Sequence, residues 1–289
     1  MQAVSLQHRA YVYFQLMRLN RPVGIALLWL PCLWGLILSY QGLPPFKEML
    51  VFTLGAILMR SAGCVYNDLV DRDFDAHVFR TRSRPIAAGL VDTKEAWALI
   101  LVLCLLAFGL LLTLPLKVIL LGVFSVGLVA VYPWMKRITY WPQLFLGITF
   151  NWGILMGWFC NQSTLNMAVV GLYSAGIFWT LYYDTIYAFQ DVQDDILIGV
   201  RSTARRFQHA PFPFLRLMAA MMILCLIFTG YAAKLGPLYF MVIFIVGWRF
   251  HHQLKHLNLE DSGQCASIFK ENAVLGLVIM LGLLLGHGF

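Results

Sequence analysis

The sequence predicts an all-α polytopic membrane protein of about nine transmembrane helices, two four-helix units plus one, with a cavity opening to the cytoplasmic side. Two features of composition and one of pattern lead there. Of 289 residues, 60% are hydrophobic, against about 45–50% in an average soluble domain. Only 12% are charged, where about 25% is usual. The apolar residues also come in blocks close to the ~20 residues that a membrane-crossing helix needs. Nine such helices consume about 180 residues and leave no room for a soluble domain of ordinary size. Residues 1–289 are therefore read as a single transmembrane domain.

Taken in order, the first block covers about 22–39, opening at Pro22 and closing before Gln41-Gly42. The second, about 46–67, follows Pro44-Pro45 and runs into a cluster of acids. The third (about 96–113) begins after Asp92 and Glu95 and stops at Pro115, and the fourth (about 117–135) stops at Lys136-Arg137. Pro142 opens the fifth, about 142–160, and the sixth, about 166–190, runs into a second acidic cluster. The seventh (about 212–233), eighth (about 237–250) and ninth (about 272–287) complete the set, with Arg249, His251 and His252 crowding the end of the eighth. Prolines, glycines and charges are the expected punctuation for such helices.

An odd number of spans puts the termini on opposite sides. With the N-terminus in the cytoplasm, 17 of the 21 Lys+Arg residues fall on the inside, only Lys47, Lys117 and Lys234 fall outside, and Arg60 lies within a span. The positive-inside rule selects that orientation. The net charge of +7 is thus a topology signal, and membrane lipid rather than nucleic acid is the expected surroundings. The six cysteines are scattered without a CxxC pair, so they are read as small buried apolar residues rather than a zinc site.

Acids carry more information, because the positive-inside rule does not dictate where they go. Thirteen of the 14 fall in or beside inside segments, and seven of those form two short runs, Asp68 to Asp75 and Asp191 to Asp195. Each run follows the second span of a four-helix unit and precedes a basic loop, as a duplicated bundle would place them. Residues four apart share a helix face, so Asn67, Asp71 and Asp75 form one stripe. Asp184, Asp191 and Asp195 form a second on the sixth span. Stacked carboxylates near hydrocarbon repel one another and need a cation. Hard divalent ions suit such oxygen ligands, and Mg²⁺ in particular is commonly held between one or two carboxylates and a substrate's phosphates. Arg72, Lys136, Arg137, Arg201, Arg205 and Arg206 stand nearby as partners for a polyanion. The plainer alternative, solvated helix ends paired with basic loops, suits either cluster alone but not both together.

On these residues the chain resembles the UbiA family of intramembrane prenyltransferases, and within it the branch acting on 4-hydroxybenzoate in ubiquinone biosynthesis. The carrying segments are Asn67-Asp68-Leu69-Val70-Asp71-Arg72-Asp73-Phe74-Asp75, similar to the family's NDxxDxxxD, and Asp191-Val192-Gln193-Asp194-Asp195, similar to its second DxxxD. Arg80-Thr81-Arg82-Ser83-Arg84-Pro85, Tyr132-Pro133-Trp134-Met135-Lys136-Arg137, Tyr183-Asp184-Thr185-Ile186-Tyr187-Ala188 and Gly199-Val200-Arg201-Ser202-Thr203 extend the likeness over nearly the whole chain.

The resemblance implies a Mg²⁺-dependent transfer from a polyprenyl diphosphate to 4-hydroxybenzoate in a bacterial inner membrane. Asn67, Asp71, Asp75, Asp191 and Asp195 would hold metal, with Asp194 as a competitor to Asp195. Tyr132, Lys136, Arg137, Arg72 and Arg201 would contact the diphosphate. Asp191, Asp71, Arg72 and Arg137 are the expected catalytic residues, Asp191 as base or as polariser of the phenol. Asn20, Arg21 and Asp184 are expected to receive the acceptor, Arg21 because a guanidinium fork matches a carboxylate. Arg21 equally suits an interfacial anchor. Arg60, seven residues before Asn67, is expected in a buried ion pair, neutralising Asp184 or binding substrate. The tryptophans are read as packing and interfacial belts, and His251, His252 and His256 as a solvated or headgroup-facing stretch. The competing readings are another aromatic acceptor on the same fold and a cation-coupled transporter. Acids at span ends, with no broken helix at mid-membrane, count against transport.

Overall fold

Helix ends fall where the sequence supplies caps, prolines and left-handed residues. The computed structural model describes residues 6–78 and 80–288. A short α1 (Leu6–Leu16) precedes α2 (Val23–Tyr40), α3 (Phe46–Asp75), α4 (Thr93–Leu111) and α5 (Leu116–Val131). A 3₁₀ turn (Tyr132–Trp134) leads to α6 (Met135–Ile138), α7 (Pro142–Trp158) and α8 (Met167–Ala188). A second 3₁₀ turn (Phe189–Asp191) leads to α9 (Val192–Ile198), α10 (Thr203–Arg206), α11 (Pro211–Ala232), α12 (Pro237–His256) and α13 (Ser262–Gly286). No strand occurs among the described residues.

Six helical segments are long and apolar enough to cross a membrane: α2, α3, α4, α5 extended through α6, α11 and α13. The chain is therefore a multi-pass membrane protein. Among the other long helices, α7 has only 17 residues, α8 carries Asp184 and α12 ends in a run of basic residues and histidines. Asp92 caps α4 by accepting from the Glu95 N–H at 2.8 Å, and Asn166 caps α8 through the Val169 N–H at 3.1 Å. Such side-chain acceptors satisfy donors that the first helical turn leaves free. Proline, whose missing N–H costs nothing in the first turn, opens α7, α11 and α12.

The long helices run up and down, and hydrogen bonds group their ends. At one end Lys47 Nζ donates to Thr113 O (2.9 Å), Asn161 Nδ2 to Ser39 O (2.9 Å) and the Gly236 N–H to Gly286 O (2.7 Å). At the other, where the acids and most basic residues gather, the Arg201 N–H donates to Lys136 O at 2.9 Å and the Thr203 N–H to Gln143 Oε1 at 3.0 Å. Helices α2, α3, α4 and α5 pack in sequence, as do α7, α8, α11 and α12; α2 lies on α7, and α13 packs on α2, α8 and α12. The α2–α7 seam is tight because it is built on small residues. A Cβ on Gly157 would meet the backbone N of Leu36 at 2.7 Å, the close approach that membrane helices use in place of a hydrophobic driving force. Trp34 and Trp179 pack with centroids 5.0 Å apart and planes tilted by 34° in the core, and both indoles are satisfied by α13, through Gly276 O (3.0 Å) and Asn272 Oδ1 (2.9 Å).

By contrast α4 and α5 bury the smallest share of their surface among the six apolar segments. They enclose one side of a cavity of about 1390 Å³. Its polar end is lined by Arg18, Asn20, Arg21 and Lys270, and its apolar depth by Leu28, Phe52, Leu114 and Met156.

Candidate active site

Helix α3 continues unbroken to Asp75, so the i, i+4 register holds and Asn67, Asp71 and Asp75 share a face. The second stripe differs from its expected form. Helix α8 ends at Ala188, and the 3₁₀ turn ending at Asp191 re-aims the chain before α9, so Asp184, Asp191 and Asp195 do not lie on one continuous helix. Gly199, with φ 77°, then ends α9. The turn keeps the three acids together: Asp184, Asp191 and Asp195 face Asp71 and Asp75 across a second, polar cavity of about 180 Å³.

The two cavities share a wall. Asn67, Arg80, Arg84, Tyr132 and Asp184 line both. The polar cavity thus joins two carboxylate clusters, and the large one offers an apolar volume immediately behind them.

The segment between α3 and α4 supplies two of the cations that hold the clusters, Arg80 and Arg84; Arg18, between α1 and α2, and Lys136 of α6 supply the others. Arg84 Nη1 donates to Asp75 Oδ2 at 2.6 Å and to Asp68 Oδ1 at 3.1 Å. Arg18 Nη2 grips both oxygens of Asp68 at 2.9 and 2.8 Å. Arg80 Nε donates to Asp191 Oδ1 at 2.7 Å, its Nη1 reaches the Tyr187 hydroxyl at 3.3 Å, and its charge sits over the Tyr187 ring. Lys136 pairs with Asp71 through Oδ2. Asp71 is almost fully buried, and its other oxygen, Oδ1, has no hydrogen-bond partner. Burial, and next the neighbouring charge of Asp191, push the Asp195 carboxyl up to about 7, against the opposing pull of Lys136 and Arg205.

Most of the expected residues meet here. Asn67, Asp71, Asp75, Asp191, Asp195, Tyr132, Lys136 and Arg201 line the polar cavity, while Asn20 and Arg21 line the large one. Two do not join them. Arg72 points away, bonding Asp73 Oδ1 at 3.3 Å and Thr93 Oγ1 at 3.3 Å, because one residue beyond Asp71 turns about 100° around the helix. Arg137 lies behind the site: its Nη2 donates to Val70 O at 2.7 Å, 3.9 Å from Asp71 Oδ1, and its guanidinium rests on Phe74 and Trp134. The ion pair expected for Arg60 is also absent among the described residues. Its guanidinium sits over Phe150, 5.3 Å from the ring centroid, and its buried Nε has no hydrogen-bond partner. Arg18, Arg80 and Arg84 were given no role by sequence reasoning, although Arg80 and Arg84 stand in a segment that carries the family likeness, since no spacing rule ties a loop arginine to a particular carboxylate. Asp68 had a legible signal, because 68, 71 and 75 follow i, i+3, i+7 spacing.

The donor set fits Mg²⁺, which takes oxygen ligands and keeps phosphate or water in its shell. Five carboxylates, Asp71, Asp75, Asp184, Asp191 and Asp195, line one cavity beside Asn67, and Asp71 Oδ1 is buried without a partner. Arg80, Arg84 and Lys136 engage oxygens of Asp191, Asp75 and Asp71, and no three acids converge on one point among the described residues.

Fold and site define an intramembrane helical protein in which two clusters of carboxylates and cations border an apolar chamber. The chain belongs to the UbiA prenyltransferase family, whose sequence profile matches residues 28–281. It is 44% identical over 287 residues to the mitochondrial 4-hydroxybenzoate polyprenyltransferase of Drosophila melanogaster, covering 98% of this chain and 73% of that one. It is 40% identical to the 4-hydroxybenzoate octaprenyltransferase of Azotobacter vinelandii, covering 98% and 96% of the two chains. Among solved structures, the fold matches an apo UbiA homolog from Aeropyrum pernix K1 with a TM-score of 0.77 at 22% identity, covering 90% and 97%. It also matches a UbiA homolog from Archaeoglobus fulgidus bound to GPP and Mg²⁺, with a TM-score of 0.65 at 16% identity, covering 93% and 99%.

Proposed function

We propose that this protein transfers a polyprenyl group from polyprenyl diphosphate to the ring carbon ortho to the hydroxyl of 4-hydroxybenzoate, a step of ubiquinone biosynthesis. The observation that carries this reading is the wall shared by the two cavities. A diphosphate in the polar cavity places its allylic carbon at that wall, and an aromatic acid in the large cavity reaches the same wall from the other side.

Asn67, Asp71, Asp75, Asp191 and Asp195 would hold Mg²⁺, which neutralises charge developing on the leaving diphosphate. The chain's own cations serve the same end. Lys136, Arg80 and Arg84, released from their carboxylates, stabilise the departing oxygens, and such preorganised charge is commonly the largest single contribution to rate. The allylic C–O bond breaks, its electron pair leaving with the diphosphate. The ring carbon ortho to the phenol attacks the allylic cation and loses its proton. Asp184 borders both cavities and is the carboxylate placed to take that proton. Asp191, held by Arg80 and bordering the polar cavity alone, serves as ligand. Arg60, with its unpartnered Nε in the large cavity, faces the acceptor's carboxylate, while the exposed Asn20 and Arg21 line the way in. Arg72 and Arg137, outside the lining, act only through their neighbours.

The tail needs a way out. Leu101, Leu105, Val123 and Val126 line the large cavity and are more than half, or nearly half, exposed, so the slot between α4 and α5 opens sideways to lipid. A long prenyl chain lies there without being measured for length. All nine long helices cross the membrane in this reading, a bacterial inner membrane, with the N-terminus and the polar cavity on the cytoplasmic side where basic residues gather.

The test is product identity. Protein in liposomes receives a polyprenyl diphosphate, Mg²⁺ and equal amounts of 4-hydroxybenzoate, homogentisate and 1,4-dihydroxy-2-naphthoate. The 3-prenylated 4-hydroxybenzoate should dominate; a dominant product from another acceptor would overturn the acceptor assignment.

A further inference from the structure

Six cations line the large cavity, and they fall into three groups. Arg18, Arg80 and Arg84 are bonded to Asp68, Asp75 or Asp191. Arg60 is buried beside Phe150. Arg21 and Lys270 are exposed while still lining the cavity, which places them at its opening; α2, which follows Arg21, packs against α13, which carries Lys270. Neither has an ion-pair partner among the described residues. The acid adjacent to Lys270 does not neutralise it, because Glu271 points the other way and pairs with Arg249 of α12.

An aromatic path leads inward from this mouth. Phe269, next to Lys270, packs on Tyr187 with centroids 4.4 Å apart and on Tyr183 at 5.5 Å; Tyr183 packs in turn on Trp179 at 5.2 Å. Phe269, Tyr183 and Tyr187 all line the large cavity, as does the deeper Arg60. Two unpaired cations outside, an aromatic wall between and a buried guanidinium within suit a small aromatic carboxylate better than a lipid tail or a diphosphate.

We propose that Lys270, with Arg21, forms a capture site that draws the anionic aromatic acceptor into the large cavity between α2 and α13, apart from the α4–α5 slot that takes the tail. This rests on the function proposed above. Lys270 acts on encounter rather than on the bond-making step, since an exposed charge speeds association in a salt-dependent way.

The experiment compares wild type, Lys270→Gln and, as a control outside the cavity, Lys255→Gln, by steady-state kinetics in proteoliposomes at low and high ionic strength. K270Q should raise the KM for 4-hydroxybenzoate about three- to tenfold at low salt. Its kcat and donor KM should match wild type, and the difference should shrink at high salt. K255Q should match wild type throughout. An unchanged acceptor KM in K270Q, a raised donor KM, or a fall in kcat alone would each overturn the capture role. Failure of the wild type to prenylate 4-hydroxybenzoate would instead strike the function from which the proposal starts.

Discussion

Arg80 and Asp191 stand 111 residues apart in sequence, and the guanidinium Nε of one donates to the carboxylate of the other at 2.7 Å. That bond ties the segment after α3 to the acidic turn after α8, so the two halves of the bundle meet through a residue from neither acidic motif. Arg80→Ala should lower kcat/KM about 10²–10³-fold, the usual loss when one preorganised donor to developing charge is removed. Arg80→Lys should recover only part of this, because an ammonium cannot bond Asp191 and Tyr187 in the same fork. Kinetics of the two variants side by side checks it, and wild-type activity in Arg80→Lys would show that only the charge matters.

Arg72 and Arg84 make a matched pair of opposites. Arg72 is half-exposed beside the exposed Asp73, the kind of surface pair worth about 0–1 kcal/mol. Arg84 is largely buried and bonded to two carboxylates. Arg72→Ala should leave kcat/KM within about threefold of wild type, whereas Arg84→Ala should cost about a hundredfold or more.

For Arg60 the expected loss is specific to the acceptor. A hydrogen bond to a charged group contributes about 1.5–3 kcal/mol, so Arg60→Leu should lower kcat/KM for 4-hydroxybenzoate about 10- to 150-fold. The KM for the prenyl diphosphate should stay near wild type. Competition with 4-hydroxybenzamide, which lacks the carboxylate charge, should narrow the gap between the variant and wild type.

Asp195 sets a pH dependence. Its carboxyl, pushed up to about 7 chiefly by burial, must lose its proton to bind metal. Protons therefore compete with Mg²⁺ below that value and not above it. One competing proton makes the half-saturating Mg²⁺ concentration about tenfold higher at pH 6 than at pH 8, with a plateau above pH 7. Mg²⁺ titrations across that range measure it, and Asp195→Asn should flatten the dependence.

The legible part of the site was the part written in helical register. Asn67, Asp71 and Asp75 lie on one unbroken helix, so spacing alone placed them on one face. The second stripe met the first for a different reason, a 3₁₀ turn over Phe189–Asp191 that apolar periodicity does not announce. Arg72 looked like a member of its cluster because it is adjacent in sequence, yet adjacency on a helix means divergence by about 100°. Arg18, Arg80 and Arg84 were hidden for the converse reason: long-range pairs from connecting segments depend on how helices pack, not on local pattern. Similarly α1 and α6 were too short to show as apolar blocks.

The most direct test of the shared wall is a structure with a non-cleavable polyprenyl thiolodiphosphate, Mg²⁺ and 4-hydroxybenzoate bound together. Density should place the diphosphate and metal between Asp71 and Asp75 on one side and Asp191 and Asp195 on the other. The aromatic ring should lie in the large cavity between Arg60 and Asp184, and the tail between α4 and α5. Diphosphate seated at Arg21 and Lys270, or the ring bound outside the large cavity, would contradict the account.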